Sequence, residues 1–214
     1  MFFSANVAFS SMPVFLPTII KDMGHESITA QALSAPPYFF SFIVVLATAY
    51  FSDRLQSRST FIILHSLLAT VGYSTIAVAG CYQSPNTTIR YIALYPAAAG
   101  FFSAITIIIT WTINNQESES KKGTGVAIMN VIGQMGPLVG TSIFPKEDGP
   151  WYVKGMAICA GFMLIVGVLA AVLRVVLKRQ NMRLKEKGSG EYAGIPLEEG
   201  GAANAERKVF EFMI

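Results

Sequence analysis

Residues 91–116 read YIALYPAAAGFFSAITIIITWTINNQ, a long run without one charged side chain. A helix rising 1.5 Å per residue needs about 20 predominantly apolar residues to cross the hydrocarbon of a bilayer. The segment Ile105–Ile109 is locally β-prone, yet it lies inside a far longer apolar run. In hydrocarbon only a helix satisfies its own backbone over such a length. Charge-free runs recur at 1–20, 27–52, 59–89, 123–145 and 155–173, and none alternates with the two-residue period of an outer-membrane strand. The reading is an all-α polytopic membrane protein with six transmembrane helices, at about 1–20, 36–52, 60–80, 90–113, 124–144 and 155–177. The fifth carries Asn130, Gln134 and several glycines, so it is expected to face protein or a cavity.

Composition excludes the main rivals. Of 214 residues 52% are apolar and 14% charged, whereas soluble domains carry about 25% charged residues. Cys81 and Cys159 form no disulfide scaffold, and no Cys/His cluster suggests a metal. A net charge of +3, unevenly placed, does not suggest nucleic acid. The chain has no GxSxG elbow, HExxH pair, intramembrane aspartate pair or nucleotide loop, so neither an enzyme nor a cofactor is expected.

Lys and Arg are retained in cytoplasmic loops. Arg54, Arg58, Lys121, Lys122, Arg174, Lys178, Arg179, Arg183, Lys185, Lys187, Arg207 and Lys208 fall on one side; Lys21, Arg90, Lys146 and Lys154 fall on the other. Both termini are therefore expected in the cytosol, and the sequon Asn86-Thr87-Thr88 falls outside, where an unused chance sequon is the simpler reading. Residues 1–178 read as one bundle and 179–214 as a disordered cytoplasmic tail, charged and too poor in aromatics to bury a core. Met1 opens directly into an apolar helix with no basic n-region, which reads as an internal span rather than a signal peptide.

The turn after the second helix reads Ala49-Tyr50-Phe51-Ser52-Asp53-Arg54-Leu55-Gln56-Ser57-Arg58. It resembles the short loop motif of the major facilitator superfamily, G-x-L-x-D-R-x-G-R-R. Asp53, Arg54 and Arg58 match, while Ala49, Phe51, Gln56 and Ser57 depart from it. Phe15-Leu16-Pro17-Thr18-Ile19-Ile20, Ala30-Gln31 before Pro36-Pro37-Tyr38, Asn114-Asn115 with Lys121-Lys122, and Phe144 with Asp148-x-Pro150-x-Tyr152-x-x-Gly155 follow in order. Together residues 1–178 resemble the second half of the fungal allantoate permease family, anion:cation symporters of that superfamily. The family loop usually carries glycine where Ser118 stands.

The resemblance implies helices seven to twelve of a twelve-helix plasma-membrane transporter, in which two halves rock about a midplane site. It implies proton-coupled uptake of a small organic anion, with membrane lipids and either a complementary half or a second copy as partners. The alternative is a non-transporting membrane interaction protein derived from such a half. By the same analogy Asp53, with Arg54 and Arg58, is a conformational latch whose carboxylate meets the N-terminus of helix 5 near Gly123-Thr124-Gly125, where the helix dipole favours an anion. The plainer reading is a solvated loop acid paired with Arg54 or Arg58.

No Asp, Glu, Lys or Arg lies in the middle of any expected span, so a coupling carboxylate is expected in the other half. His65 reads as a packing residue. Asn6, Ser10, Tyr38, Tyr95, Trp111, Asn114, Asn130 and Gln134 are the substrate-cavity candidates. Tyr91 and Trp111, taken singly, read better as interfacial belt residues. Gly133, Gly136 and Gly140 read as close helix packing, and Pro137 as a kink or gating bend.

Single cysteines in the 81–88 loop should react with an impermeant maleimide from outside the cell, and those in the 114–122 loop only from inside. Reaction of both loops from one side would contradict this topology.

Overall fold

The computed structural model describes residues 1–22, 24, 26–83, 87–116, 118–192 and 212–213; Asn86 of the sequon lies outside them. Its helices are α1 (Phe2–Asp22), α2 (Ser27–Leu55), α3 (Arg58–Cys81), α4 (Thr87–Asn114), α5 (Glu119–Gly133), α6 (Gly136–Ser142) and α7 (Val153–Tyr192), with a 3₁₀ turn at Lys146–Asp148. Segments Ser27–Leu55, Arg58–Cys81, Thr87–Asn114 and Val153–Leu184 are long and apolar enough to cross a membrane. Helix α1 makes a fifth if its two segments, Phe2–Pro13 and Phe15–Asp22, which meet at 49°, count as one span. The chain is therefore a multi-pass, all-α membrane protein.

Four features depart from the sequence expectation. The helix expected from residue 36 begins at Ser27 and continues through Pro36 and Pro37. Pro37 has no N–H to donate to the Leu33 carbonyl, and the Tyr91 hydroxyl donates to that carbonyl instead, at 3.0 Å. The segment expected as one helix over 124–144 is two, α5 and α6, parted at Gln134–Met135. Pro137 stands at the first turn of α6, where a missing N–H costs nothing, and the Gly133 carbonyl four residues earlier loses its donor. At 15 and 7 residues, neither piece alone is long enough to cross a bilayer. Helix α7 runs to Tyr192, so the boundary placed at 178/179 falls inside a helix. Trp111, read as a belt residue, is instead 2% exposed in the core.

The bundle is inside-out relative to a soluble one. Helix α2 buries Ala30, Ser34, Pro37, Ser41, Thr48 and Ser52 and turns Phe39, Phe42, Ile43 and Leu46 outward. Lipid tails are as apolar as leucine, so large side chains gain nothing by turning inward, while small ones let helices approach closely. The α3–α4 contact shows the limit of that approach. A Cβ on Gly72 would lie 2.5 Å from the Ala97 nitrogen, and one on Gly100 would lie 2.5 Å from the His65 carbonyl oxygen and 2.6 Å from the Ala69 nitrogen.

Two apolar clusters lie along the bundle. One gathers Met12, Leu16, Tyr73, Ile76, Leu94, Phe101, Phe144, Met156 and Met163. The other, toward the 52–58 loop, gathers Ala5, Ile62, Ile107, Ile108, Trp111, Val166, Ala170 and Leu177, with Phe212 packed against it.

Gly100→Ala should destabilise the bundle by about 1–3 kcal/mol, the usual cost of overpacking. Gly161→Ala, where a Cβ would meet nothing within 4 Å, should be neutral or stabilising by up to about 1 kcal/mol. Unfolding of both variants in mixed micelles checks the pair; equal effects would contradict the close α3–α4 approach.

Candidate functional site

The polar residues collect at the bundle end that carries the 52–58 loop. Helix α2 stops at Leu55 with Gln56 in the left-handed region, φ 50°, a conformation that favours glycine. Its side-chain amide donates to the Asp53 carbonyl at 2.6 Å and closes the turn. This is the place where the loop motif has glycine and this chain does not. The turn brings Asp53 against the first residue of α3: Arg58 Nη2 donates to Asp53 Oδ1 at 2.5 Å. The Arg58 side chain is 8% exposed and that of Asp53 63%, so a nearly buried cation is held by a carboxylate open to solvent. Arg54 stays exposed and reaches the Tyr50 hydroxyl at 3.4 Å.

Arg58 has further partners. With its oxygen turned toward the guanidinium, the Asn114 amide accepts from Arg58 Nε at 3.1 Å and Nη2 at 3.0 Å. Arg58 Nε also lies 2.9 Å from Met213 Sδ, and the Trp111 indole N–H donates to the Met213 carbonyl at 2.8 Å. Two helix turns inward, His65 Nε2 is 2.8 Å from Thr48 Oγ1, which ties α3 to α2. His65 is thus a hydrogen-bonded packing residue. The Asp53 carboxylate is engaged by Arg58, while the start of α5 borders a separate cleft of about 310 Å³ lined by Gln116, Ser120, Lys121, Thr124, Gly125 and Ile128.

The candidate cavity residues occupy several places rather than one. Asn130 and Gln134 are exposed on α5, beside Ile128, Val131, Ile132, Met135 and Leu138, which are all more than half exposed. Asn6 is buried against the opposite side of the same segment, 3.0 Å from where a Cβ on Gly133 would stand, and its Nδ2 has no partner. A Cβ on Gly136 would lie 2.7 Å from the Phe3 carbonyl oxygen, and one on Gly140 would overlap Ser10 Oγ and the Val7 carbonyl. These glycines let α5 and α6 lie flat on α1. The Ser11 hydroxyl adds a hydrogen bond to the Gly140 carbonyl at 2.9 Å.

Tyr38 and Tyr95 belong to the α2–α4 seam. The Tyr95 hydroxyl donates to that of Tyr91 at 3.3 Å, and the Tyr38 ring meets Phe102 edge-on at 6.0 Å. A groove of about 520 Å³ on α3, lined by Thr70, Val71, Ser74, Thr75, Val78 and Tyr82, contains none of the candidates. Among the described residues no group of three or more His, Cys, Asp or Glu side chains could hold a metal ion.

At the far end the 144–155 motif acquires a physical account. Phe144 stacks on Phe15 at 4.7 Å, and a Cβ on Gly155 would lie 2.7 Å from the Phe144 ring. The Tyr152 hydroxyl donates to Asp22 Oδ2 at 3.1 Å; burial, and then this bond, raises the phenol above its ordinary value of 10.0. Arg90 donates to the Pro150 carbonyl at 2.9 Å and lies 4.8 Å from the Trp151 ring centroid. Sequence reading missed Asp22 and Arg90, although the Asp148-x-Pro150-x-Tyr152 spacing marked the loop that they hold.

No family model matches the chain, and no solved structure is similar to it. Curated transporters are similar along most of its length. The MFS-type transporter cnsO of Penicillium expansum is 26% identical over 95% of this chain and 40% of its own length. The high-affinity nicotinic acid transporter of Saccharomyces cerevisiae is 29% identical over 86% of this chain and 33% of its own length. The MFS transporter prlL of a fungal species is 28% identical over 88% and 38%. The chain thus spans two fifths or less of the length of these relatives. They are transport proteins rather than enzymes. The chain is thus similar to major facilitator superfamily transporters almost end to end, and it builds an inside-out bundle of membrane-length helices.

Proposed function

We propose that this chain supplies one six-helix half of a major facilitator transporter for a small organic anion of the carboxylate or vitamin type, coupled to protons in the complete assembly. In this reading α1 is one bent span and α5 with α6 is one broken span, which adds to the four straight ones. Residues 1–178 form the half, the later residues extend into the cytosol, both termini are cytosolic, and the assembly resides in the plasma membrane.

The observation that carries the proposal is the α5 surface. Asn130 and Gln134 lie one turn apart and exposed on a segment whose other face is glycine-packed onto α1. Two amides one turn apart share a face, and facing hydrocarbon they would lack partners. An opposing half would cover them. The name of the nicotinic acid transporter supports a carboxylate as substrate. Uncharged amides orient a carboxylate without neutralising it, so the neutralising cation and the coupling carboxylate belong to the opposing half.

In the same reading Asp53, Arg54 and Arg58 are the latch at the cytoplasmic end. Arg58 holds Asp53 in the arrangement described above, and exchange of the carboxylate to the N-terminus of α5 would mark the other access state. That helix end favours an anion by about 0.3–1 kcal/mol.

Two experiments test this reading. Co-expressed with the first half of a related transporter in a transporter-deficient yeast, the chain should confer uptake of labelled nicotinate or a similar carboxylate. Expressed alone it should insert and confer none. Coupled uptake by verified monomers in liposomes would overturn the half-transporter account. In the rejoined protein Asp53→Asn should lower turnover several-fold at unchanged membrane abundance, whereas wild-type kinetics would reduce Asp53 to a solvated loop acid.

A further inference from the structure

Two asparagines at the 52–58 end of the bundle do what a neighbouring β-strand does. Asn115 Oδ1 accepts from the Met213 backbone N–H at 2.7 Å, and its Nδ2 donates to the Met213 carbonyl at 3.2 Å. Asn181, on α7, repeats the pattern one residue earlier. Its Oδ1 accepts from the Phe212 N–H at 2.9 Å, and its Nδ2 donates to the Phe212 carbonyl at 2.8 Å. A carboxamide is the one uncharged side chain that offers a donor and an acceptor side by side, and each of these is matched to both backbone groups of one residue. Asn181 is 8% exposed, so its amide is not otherwise solvated.

The side chains of the held dipeptide also have places. Phe212 packs against the apolar cluster that contains Trp111 and Leu177. The Met213 thioether lies at Arg58 Nε, 2.9 Å away, and the Trp111 indole makes a further bond to the Met213 carbonyl. From these contacts we infer that Asn115 and Asn181 form a peptide clamp at this end of the bundle, and that its occupant is the chain's own Phe212–Met213.

The backbone bonds hold any extended dipeptide, as in strand addition, and the flanking pockets choose its side chains. An aromatic residue followed by a soft acceptor fits the apolar cluster and the Arg58 guanidinium. The occupant joins α4, α7 and the Asp53–Arg58 pair, because Arg58 is a partner of both Asp53 and Met213. The clamp stands on these contacts alone, whichever molecule the assembly carries.

Backbone amide exchange on the full-length protein in nanodiscs tests it without any transport measurement. The Phe212 and Met213 amides should exchange at least on the order of tenfold more slowly than in a synthetic peptide of residues 207–214, because each N–H is held in a part-buried hydrogen bond. Asn115→Ala with Asn181→Ala should return both to the peptide rate while the α3 and α4 amides stay protected. Met213→Pro alters only the occupant and removes one of the four backbone bonds, that from the Met213 N–H to Asn115; the Phe212 amide, still bonded to Asn181, should exchange faster than in the wild-type protein but more slowly than in the peptide. Exchange at the peptide rate in the wild-type protein, or protection that survives the double asparagine substitution, would overturn the clamp.

Discussion

Two helices come within reach of each other's backbones only where both lack bulk, and in this chain Gly72, Ala97, Ala69 and Gly100 meet that condition between α3 and α4. Everything else is arranged around that contact. Because the approach is so close, dispersion between small side chains stabilises it, and α2 is tied to α3 by a hydrogen bond between Thr48 and His65. Neither needs a hydrophobic driving force, which lipid does not supply. Large residues are free to face outward, and α2 places Phe39, Phe42, Ile43 and Leu46 there. The same logic lays α5 and α6 on α1 through Gly133, Gly136 and Gly140, and it leaves Asn130 and Gln134 on the free side.

The two ends of the bundle are built differently. At the far end, aromatic rings and a part-buried tyrosine–aspartate bond close the 144–155 loop over α1 and α4. At the 52–58 end a nearly buried arginine gathers a carboxylate, an amide and a thioether. Isolated, such a cation in a low-dielectric site would be costly. Here it is shared among three acceptors, one of which, Asp53, is open to water. Gln56 adds a local cost, since a non-glycine residue in the left-handed region is disfavoured by about 1–2 kcal/mol. Its side-chain bond to the Asp53 carbonyl offsets part of that cost.

Charge-free run lengths made the membrane-spanning character legible, because the thickness of hydrocarbon fixes how long an apolar segment must be. Helix ends at prolines were less legible. Pro36 and Pro37 look like a start in the sequence, but the helix passes through them because Tyr91, far along the chain, supplies a donor to the Leu33 carbonyl. No local pattern encodes that partner. The break at Gln134–Met135 was foreshadowed by Gly133, Gly136 and Pro137, yet whether such a segment bends or parts depends on its packing against α1. Trp111 misled because a tryptophan near a helix end resembles a belt residue, and its indole partner lies 102 positions away. Asn115 and Asn181 gave no sign of their role, since a clamp is a property of spacing in three dimensions.

On the proposed reading the bundle has two kinds of outer surface, one for lipid and one for an opposing half. Nitroxide side chains introduced singly at Phe42 and at Gln134, with the chain rejoined to a complementary half in a bilayer, measure this directly through collision with oxygen and with a water-soluble nickel chelate. The account predicts that position 42 is relaxed by oxygen, which concentrates in lipid, and position 134 by the chelate in an aqueous cavity. Oxygen-dominated relaxation at position 134, equal to that at position 42, would place the α5 amides in lipid and contradict the account.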